Sequence, residues 1–468
     1  MKRFHESHLV PLLIALLFIV QCAHYRVNSP LAEETKDTYD FSLLSEPRDS
    51  DETFVVLTFS GGGTRAAALA YGVLEKMSTI LLPGTNRTLL DEVDVISTVS
   101  GGSFTGAYYA LFGERIFDDF KDKFLYRNIE KELAMKAMNP ANWFRLASPY
   151  FSRIDLAAEL YDQTIFESLT FESIAKKKRR PFLIINATDL YQGARFEFTG
   201  GQFRYLSSDL LSYPVACAVA ASSAFPFLLT PVSLVNYPDP RFSNPTAEDE
   251  MALKDYWKNR RRYVSASARA LYSDKSHRYV HLMDGGLADN IGLRAVYDMY
   301  LRADIRQKIN EGAVKRLLII VVNAKTRAAE DLDKRESPPG LARAAYKTCT
   351  VSLDNYSFET VEVFREAISD RLKAQQYMDD CQELLDEHCL GGYRITPLTG
   401  GRLKIYIAEL SFDNLADKEE REFFNRLPTT FSLAKDQVDR LIGIGGRLLI
   451  EHPEFRKFID EYGTEEHP

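Results

Sequence analysis

Three short stretches of the chain carry residue types suited to chemistry: "FSGGGTRAAALAY" (Phe59–Tyr71), "GGSFT" (Gly101–Thr105) and "HLMDGGLADN" (His281–Asn290). Three successive glycines weaken any regular element, because each loses maximal backbone freedom on folding. Their bare N–H groups at the head of a helix can instead converge on one anion. Ser103, flanked by Gly102 on a sharp turn into a helix, would present its hydroxyl clear of the backbone as a nucleophile. Asp284 ends an apolar run and precedes two glycines, where a carboxylate can accept a proton across a crevice. Read singly, the serine and aspartate stretches have plainer meanings, a serine-containing turn and an Asp-Gly-Gly turn.

Two kinds of anion suit the glycine stretch. A nucleotide phosphate would call for G-x-x-x-x-G-K-[ST] or the spaced glycines of a dinucleotide fingerprint, and Gly61, Gly62 and Gly63 are consecutive with no lysine in the turn. The oxyanion of an acyl-transfer intermediate needs a nucleophile nearby, and the next strand-turn-helix unit supplies Ser103.

The elements that must position these residues read as alternating strands and helices. "TFVVLTF" (Thr53–Phe59), "VDVISTVS" (Val93–Ser100), "PFLIINATD" (Pro181–Asp189), "YVHLMD" (Tyr279–Asp284) and "RLLIIVVNA" (Arg316–Ala324) are near-continuous apolar runs, as expected of strands covered on both faces. Leu69, Val73 and Met77 recur on one face of the helix after the glycines. The pattern predicts an α/β fold whose site lies in loops at the carboxyl ends of the strands.

With "INATDLYQGARFEF" and "AVAASSAFPFLLTPV" added to the glycine, serine and Asp-Gly-Gly blocks, the chain resembles the patatin-like phospholipases over roughly residues 51–325. The resemblance implies a patatin-like three-layer α/β sandwich with a mainly parallel central sheet. It also implies a Ser-Asp dyad that cleaves acyl esters of lipids: Ser103 as nucleophile, Asp284 as base, and Gly61, Gly62 and Gly63 as the oxyanion loop with Arg65 supporting it. No metal and no cofactor are needed. The expected function is a lipid acyl hydrolase of phospholipase A or lysophospholipase type. The rivals are a catalytically silent lipid-binding envelope protein, and an acyltransferase or thioesterase on the same dyad.

A Ser-His-Asp triad would need His281. It lies three residues before Asp284, so in a strand the two side chains face opposite sides, and His281 reads as structural.

Composition supports a globular protein: 468 residues, 45% hydrophobic and 26% charged. A net charge of -8 argues against a nucleic-acid partner. The basic runs "KKKRRP" (Lys176–Pro181) and "KNRRRY" (Lys258–Tyr263) read first as solvated surface and second as contacts for anionic lipid headgroups. Lys2 and Arg3, the apolar run Leu9–Val20 and then Cys22 have the layout of a secretory signal or membrane anchor over residues 1–22. Cys22 is a candidate for lipidation, and the chain is expected to be exported and membrane-associated, with acyl lipid and a membrane surface as its partners.

Residues 23–50 are polar and read as a linker. Residues 326–468 read as a mostly helical extension packed on the catalytic domain, with "RLKIYIAELSF" (Arg402–Phe412) as an added strand and Ala434, Val438, Leu441 and Ile442 on one helix face. Phe117–Phe166 is aromatic-rich and open to two readings, core helices or a lipid-docking lid. Cys381 and Cys389, with Cys349 nearby, are open to a disulfide, whereas Cys217 sits in an apolar run as a buried thiol.

Overall fold

The structure is a computed structural model that describes residues 27–33, 38–44, 52–83, 86–226, 228–302, 304–326, 336–389, 392–395 and 403–465. The signal segment and Cys22 lie outside the described residues. No described helix is long and apolar enough to cross a membrane.

An eight-stranded sheet organises the molecule. Its strands are β1 (Thr53–Phe59), β2 (Val93–Val99), β3 (Phe182–Asp189), β4 (Ala194–Glu197), β5 (Val232–Val235), β6 (Tyr279–Asp284), β7 (Arg316–Asn323) and β8 (Lys404–Ser411). They lie in the order β8-β7-β1-β2-β3-β6-β5, with β4 paired to β3 off that path. Strands β8 to β3 run parallel. The β3-β6, β6-β5 and β3-β4 pairs are antiparallel, so the sheet is mixed at the end that carries Asp284. Every residue of β1, β2, β3 and β7 is buried, as their unbroken apolar runs require.

Helices α1 (Gly63–Met77) and α2 (Gly101–Phe112) follow β1 and β2 directly. Leu69, Val73 and Met77 are all fully buried. The C-terminal region completes this same core. Strand β8 pairs with β7 residue for residue, from Lys404 opposite Arg316 to Ser411 opposite Asn323. Helix α3 (Lys435–Glu451) lies across α1, buried through Val438, Leu441, Ile442 and Leu449, while Ala434 stands exposed at its cap. The crossing is backbone to backbone. A Cβ on Gly72 would stand 2.1 Å from the Ile442 carbonyl oxygen, and one on Gly445 would stand 2.5 Å from that of Leu69.

The linker expectation for residues 23–50 changes where that segment is described. Ser29–Pro30 pairs antiparallel with Ser208–Asp209. Tyr39 and Phe41 are core residues, and the Tyr39 hydroxyl accepts from the Leu183 N–H at 3.0 Å. Two aromatics within a polar stretch were the signal for docking, since their burial outweighs the polar residues left at the surface.

The segment 117–166 divides between its two readings. Phe120, Phe124, Ile129, Ile154, Tyr161 and Phe166 join the core. Met135, Met138, Trp143, Phe144 and Tyr150 are exposed on and just beyond the helices Ile129–Met138 and Pro140–Leu146. Cys217 is buried, and Cys381 and Cys389 are exposed free thiols that do not bond to each other.

Candidate active site

Strand β2 ends at Val99 and α2 begins at Gly101, so the turn between them is a single residue, Ser100. Its φ of 49° is a left-handed conformation that L side chains rarely adopt, with a typical cost of about 1–3 kcal/mol. A residue so placed lifts its side chain out of the sheet at the head of a helix. The flanking glycines make that geometry attainable. A Cβ on Gly101 would stand 2.1 Å from the Gly63 carbonyl oxygen, and one on Gly102 would stand 2.7 Å from that of Ser60. The elbow and the glycine loop therefore touch backbone to backbone.

Strand register brings Asp284 to the same level. Val99 pairs with Asn186, and the next residue of β3, Ala187, pairs with Asp284. Ser100 and Asp284 thus flank β3, two interstrand spacings or about 10 Å apart in backbone, a gap their side chains close. The Ser100 hydroxyl faces the Asp284 carboxylate closely enough to favour its ionised form, and the Gly286 N–H donates to Asp284 Oδ1 at 2.8 Å. Burial pushes the Asp284 carboxyl up to about 6, against the lowering effect of the Gly286 N–H and the Ser100 hydroxyl. Gly285 must be glycine here, because a Cβ would stand 2.2 Å from the Asn186 carbonyl oxygen.

The expectation that Ser103 occupies the elbow does not hold. Ser103 lies on the first turn of α2, is fully buried, and its hydroxyl meets Thr98 Oγ1 at 3.0 Å and Ser222 Oγ at 2.9 Å. Ser222 in turn accepts from the Ser100 N–H at 2.9 Å and donates to the Asn186 carbonyl at 2.6 Å. Ser103 therefore braces the elbow from beneath. The available signal was positional: the strand's apolar run ends at Val99, and Gly101 and Gly102 follow Ser100, not Ser103.

The glycine loop also differs in detail from expectation. Gly61 lies over the elbow, where an added Cβ would stand 3.4 Å from Ser100 Cβ, but its own N–H donates to the Asn290 carbonyl at 2.9 Å. The Thr64 N–H donates to the Thr430 carbonyl at 2.9 Å. Among the described residues, the Gly62 and Gly63 N–H groups have no hydrogen-bond partner, and both glycines have positive φ, 140° and 61°. Gly101, immediately after the elbow, opens α2, where N–H groups have no intrahelical acceptor.

Arg65 supports the glycine loop by anchoring it to distant backbone. Its buried guanidinium donates from Nε to the Ala324 carbonyl (2.9 Å), from Nη1 to the Leu427 carbonyl (2.7 Å) and from Nη2 to Thr429 Oγ1 (3.0 Å). It ties the loop to a strap from the C-terminal region, Leu427–Phe431. Glu130 clamps the other end of the strap, accepting from Thr430 Oγ1 at 2.6 Å and from the Phe431 N–H at 2.8 Å. Nothing in the sequence separation of Arg65 and Leu427 pointed to this contact.

His281 is exposed on the opposite side of β6 from Asp284, with Nδ1 2.8 Å from Ser233 Oγ. It takes no part in the site, as its spacing predicted.

Several solved structures are similar to this chain in part. Human GIVD cytosolic phospholipase A2 bound to methyl gamma-linolenyl fluorophosphonate is similar over 90% of this chain and 61% of its own, at 11% identity and a TM-score of 0.42. Another structure of the human enzyme gives 12% identity and a TM-score of 0.36 over 60% of this chain and 47% of that one. VipD from Legionella pneumophila gives 12% identity and a TM-score of 0.29 over 84% of this chain and 67% of its own. The chain thus spans about half to three fifths of the human enzyme in these matches. No curated protein sequence matches it. Residues 57–297 match the family described as patatin-like phospholipase, and that match takes in the glycine loop, the elbow and Asp284. On this match over more than half of its length, the chain belongs to the patatin-like phospholipase family.

Proposed function

We propose that the protein hydrolyses acyl esters of membrane lipids through Ser100 and Asp284. The observation that carries this reading is the Ser100 hydroxyl, held at a strained strand-to-helix turn and brought by strand register beside a buried carboxylate.

As Ser100 Oγ attacks the ester carbonyl carbon, its proton passes to Asp284. A carboxyl raised to about 6 is a stronger base than an ordinary aspartate, yet it is ionised at neutral pH. The oxyanion of the tetrahedral intermediate would take the partnerless Gly62 and Gly63 N–H groups, with the Gly101 N–H as a further donor. Collapse expels the alcohol, which recovers the proton from Asp284. Water, deprotonated by Asp284, then attacks the acyl-Ser100 ester, and the fatty acid leaves as Ser100 is restored. These steps balance without a metal.

The apolar run Leu9–Val20 and Cys22 support an exported, membrane-tethered protein. Metabolic labelling with a fatty acid tests this: incorporation lost in Cys22→Ser supports lipidation, and incorporation retained argues against it.

Release of fatty acid from phospholipid vesicles tests the hydrolase reading. Turnover by wild type but not by Ser100→Ala is expected. A folded wild type that releases nothing from any lipid ester would favour the silent lipid-binding reading, and acyl groups passed to an added alcohol in preference to water would favour a transferase.

A further inference from the structure

Between β5 and β6 the chain makes an insertion, Asn236–Arg278, that the site does not use. Its two helices, Ala247–Lys254 and Arg260–Ala270, bracket an exposed tip. Trp257 is 91% exposed there. Five of the nine residues Lys254–Arg262 are basic, namely Lys254, Lys258, Arg260, Arg261 and Arg262, with Asp255 the single acid. Exposed Met251 and Val264 add apolar surface on either side. Such a concentration is unexpected on a chain with a net charge of -8. A tryptophan left in water amid cations fits a medium that is anionic at its surface and apolar just beneath.

Register shows which way the tip faces. Strand β6 enters from beyond the carboxyl end of β3, since Leu282 pairs with Asp189 and Asp284 pairs with Ala187 further in. Strand β5 leaves toward that same end, from Val232 opposite Leu282 to Val235 opposite Tyr279. Tyr272, just after the second helix, donates to Asp189 Oδ2 at 2.8 Å and fixes the insertion above the end of β3. Exposed Leu190 and Tyr191, in the turn that follows β3, lie at this end too, with the Tyr191 ring 5.3 Å from that of His277. Ser100 stands at the carboxyl end of β2, so tip and elbow occupy the same end of the sheet.

We propose that the Lys254–Val264 tip is a docking surface for an anionic lipid bilayer, with Trp257 entering the interface and Lys254, Lys258 and Arg260 meeting the headgroups. Docking there turns the end of the sheet that carries Ser100 toward the source of its substrate. The partner rests on the lipid-hydrolase reading, whereas the test below reads binding alone.

The chain has two tryptophans, so in the full-length Trp143→Phe protein the fluorescence reports Trp257 only. Vesicles of phosphatidylcholine with about a third phosphatidylserine should shift its emission to the blue, and brominated acyl chains should quench it. Vesicles of phosphatidylcholine alone should do neither. Adding Lys258→Glu and Arg260→Glu, both at exposed positions, should weaken the anionic binding by at least about tenfold, given roughly 1 kcal/mol for each basic residue at such a surface. High salt should weaken it as well. Equal shifts on both vesicle types, or a Trp257 that stays in water while the protein sediments with vesicles, would overturn the proposal. A shift produced by duplex DNA but not by vesicles would assign the surface to a nucleic acid instead. Because no catalysis is measured, loss of the hydrolase reading would leave these outcomes readable.

Discussion

Ser100 and Asp284 stand at one level on either side of β3, the hydroxyl facing the carboxylate across the end of that strand. Ser103, three residues further along the chain, never reaches the carboxylate because α2 has already turned it inward to Thr98 and Ser222. The consequences differ for the two serines.

Ser100→Ala should lower kcat by about a thousandfold or more, as loss of a nucleophile does when binding and oxyanion donors remain. Ser103→Ala should retain most of the activity but lose about 1–3 kcal/mol of stability, because buried Thr98 and Ser222 hydroxyls forfeit a partner. Initial-rate kinetics and thermal unfolding of the two variants check the contrast.

The rate should depend on pH through Asp284. A base works only when ionised, so kcat/KM should rise with pH and level off above a midpoint near 6, the value to which burial lifts this carboxyl. A profile flat from pH 5 to 8 would remove Asp284 from the role.

The same shift has a cost in stability. A carboxyl raised from 3.8 to about 6 in the folded state favours folding while protonated, and that contribution is lost as pH rises from about 4 through about 6. Asp284→Asn, inactive as a base, should therefore be more stable than wild type at pH 7, by up to about 3 kcal/mol at 1.36 kcal/mol per unit. The difference should vanish below pH 4. Chemical denaturation at both pH values measures it.

The strap should matter to turnover more than to binding. Arg65 and Glu130 hold Leu427–Phe431, whose Thr430 carbonyl accepts from the Thr64 N–H beside the unpaired Gly62 and Gly63 amides. Glu130→Ala frees one end of it at an exposed position, and kcat should fall by about three- to thirtyfold, the effect of misplacing one oxyanion donor in part, with KM little changed. Glu130→Gln, which keeps an acceptor, should recover most of the rate. A fall in KM and kcat together, or no rescue, would make Glu130 a residue of general packing.

Much of this arrangement is written locally. The unbroken apolar runs of β1, β2, β3 and β7 demand burial on both faces, and the glycines after β1 and Asp284 demand close backbone approach; both demands are met. What local pattern does not encode is register and distance. The elbow shifted by three residues because glycines flank both Ser100 and Ser103, and only the junction of strand and helix distinguishes them. The grip of Arg65 on Leu427 joins residues 362 apart in the chain, and the pairing of β8 with β7 follows a helix of 48 residues. Contacts of that separation leave no periodicity to read.

On this mechanism Ser100 is the acylated residue. Treating the native protein with a fluorophosphonate and mapping the adduct by peptide mass spectrometry tests it most directly, because the two serines can be told apart by fragmentation. A single phosphonyl group on Ser100 is expected, absent from both Ser100→Ala and Asp284→Asn. An adduct on Ser103, or labelling that persists in Ser100→Ala, would contradict it.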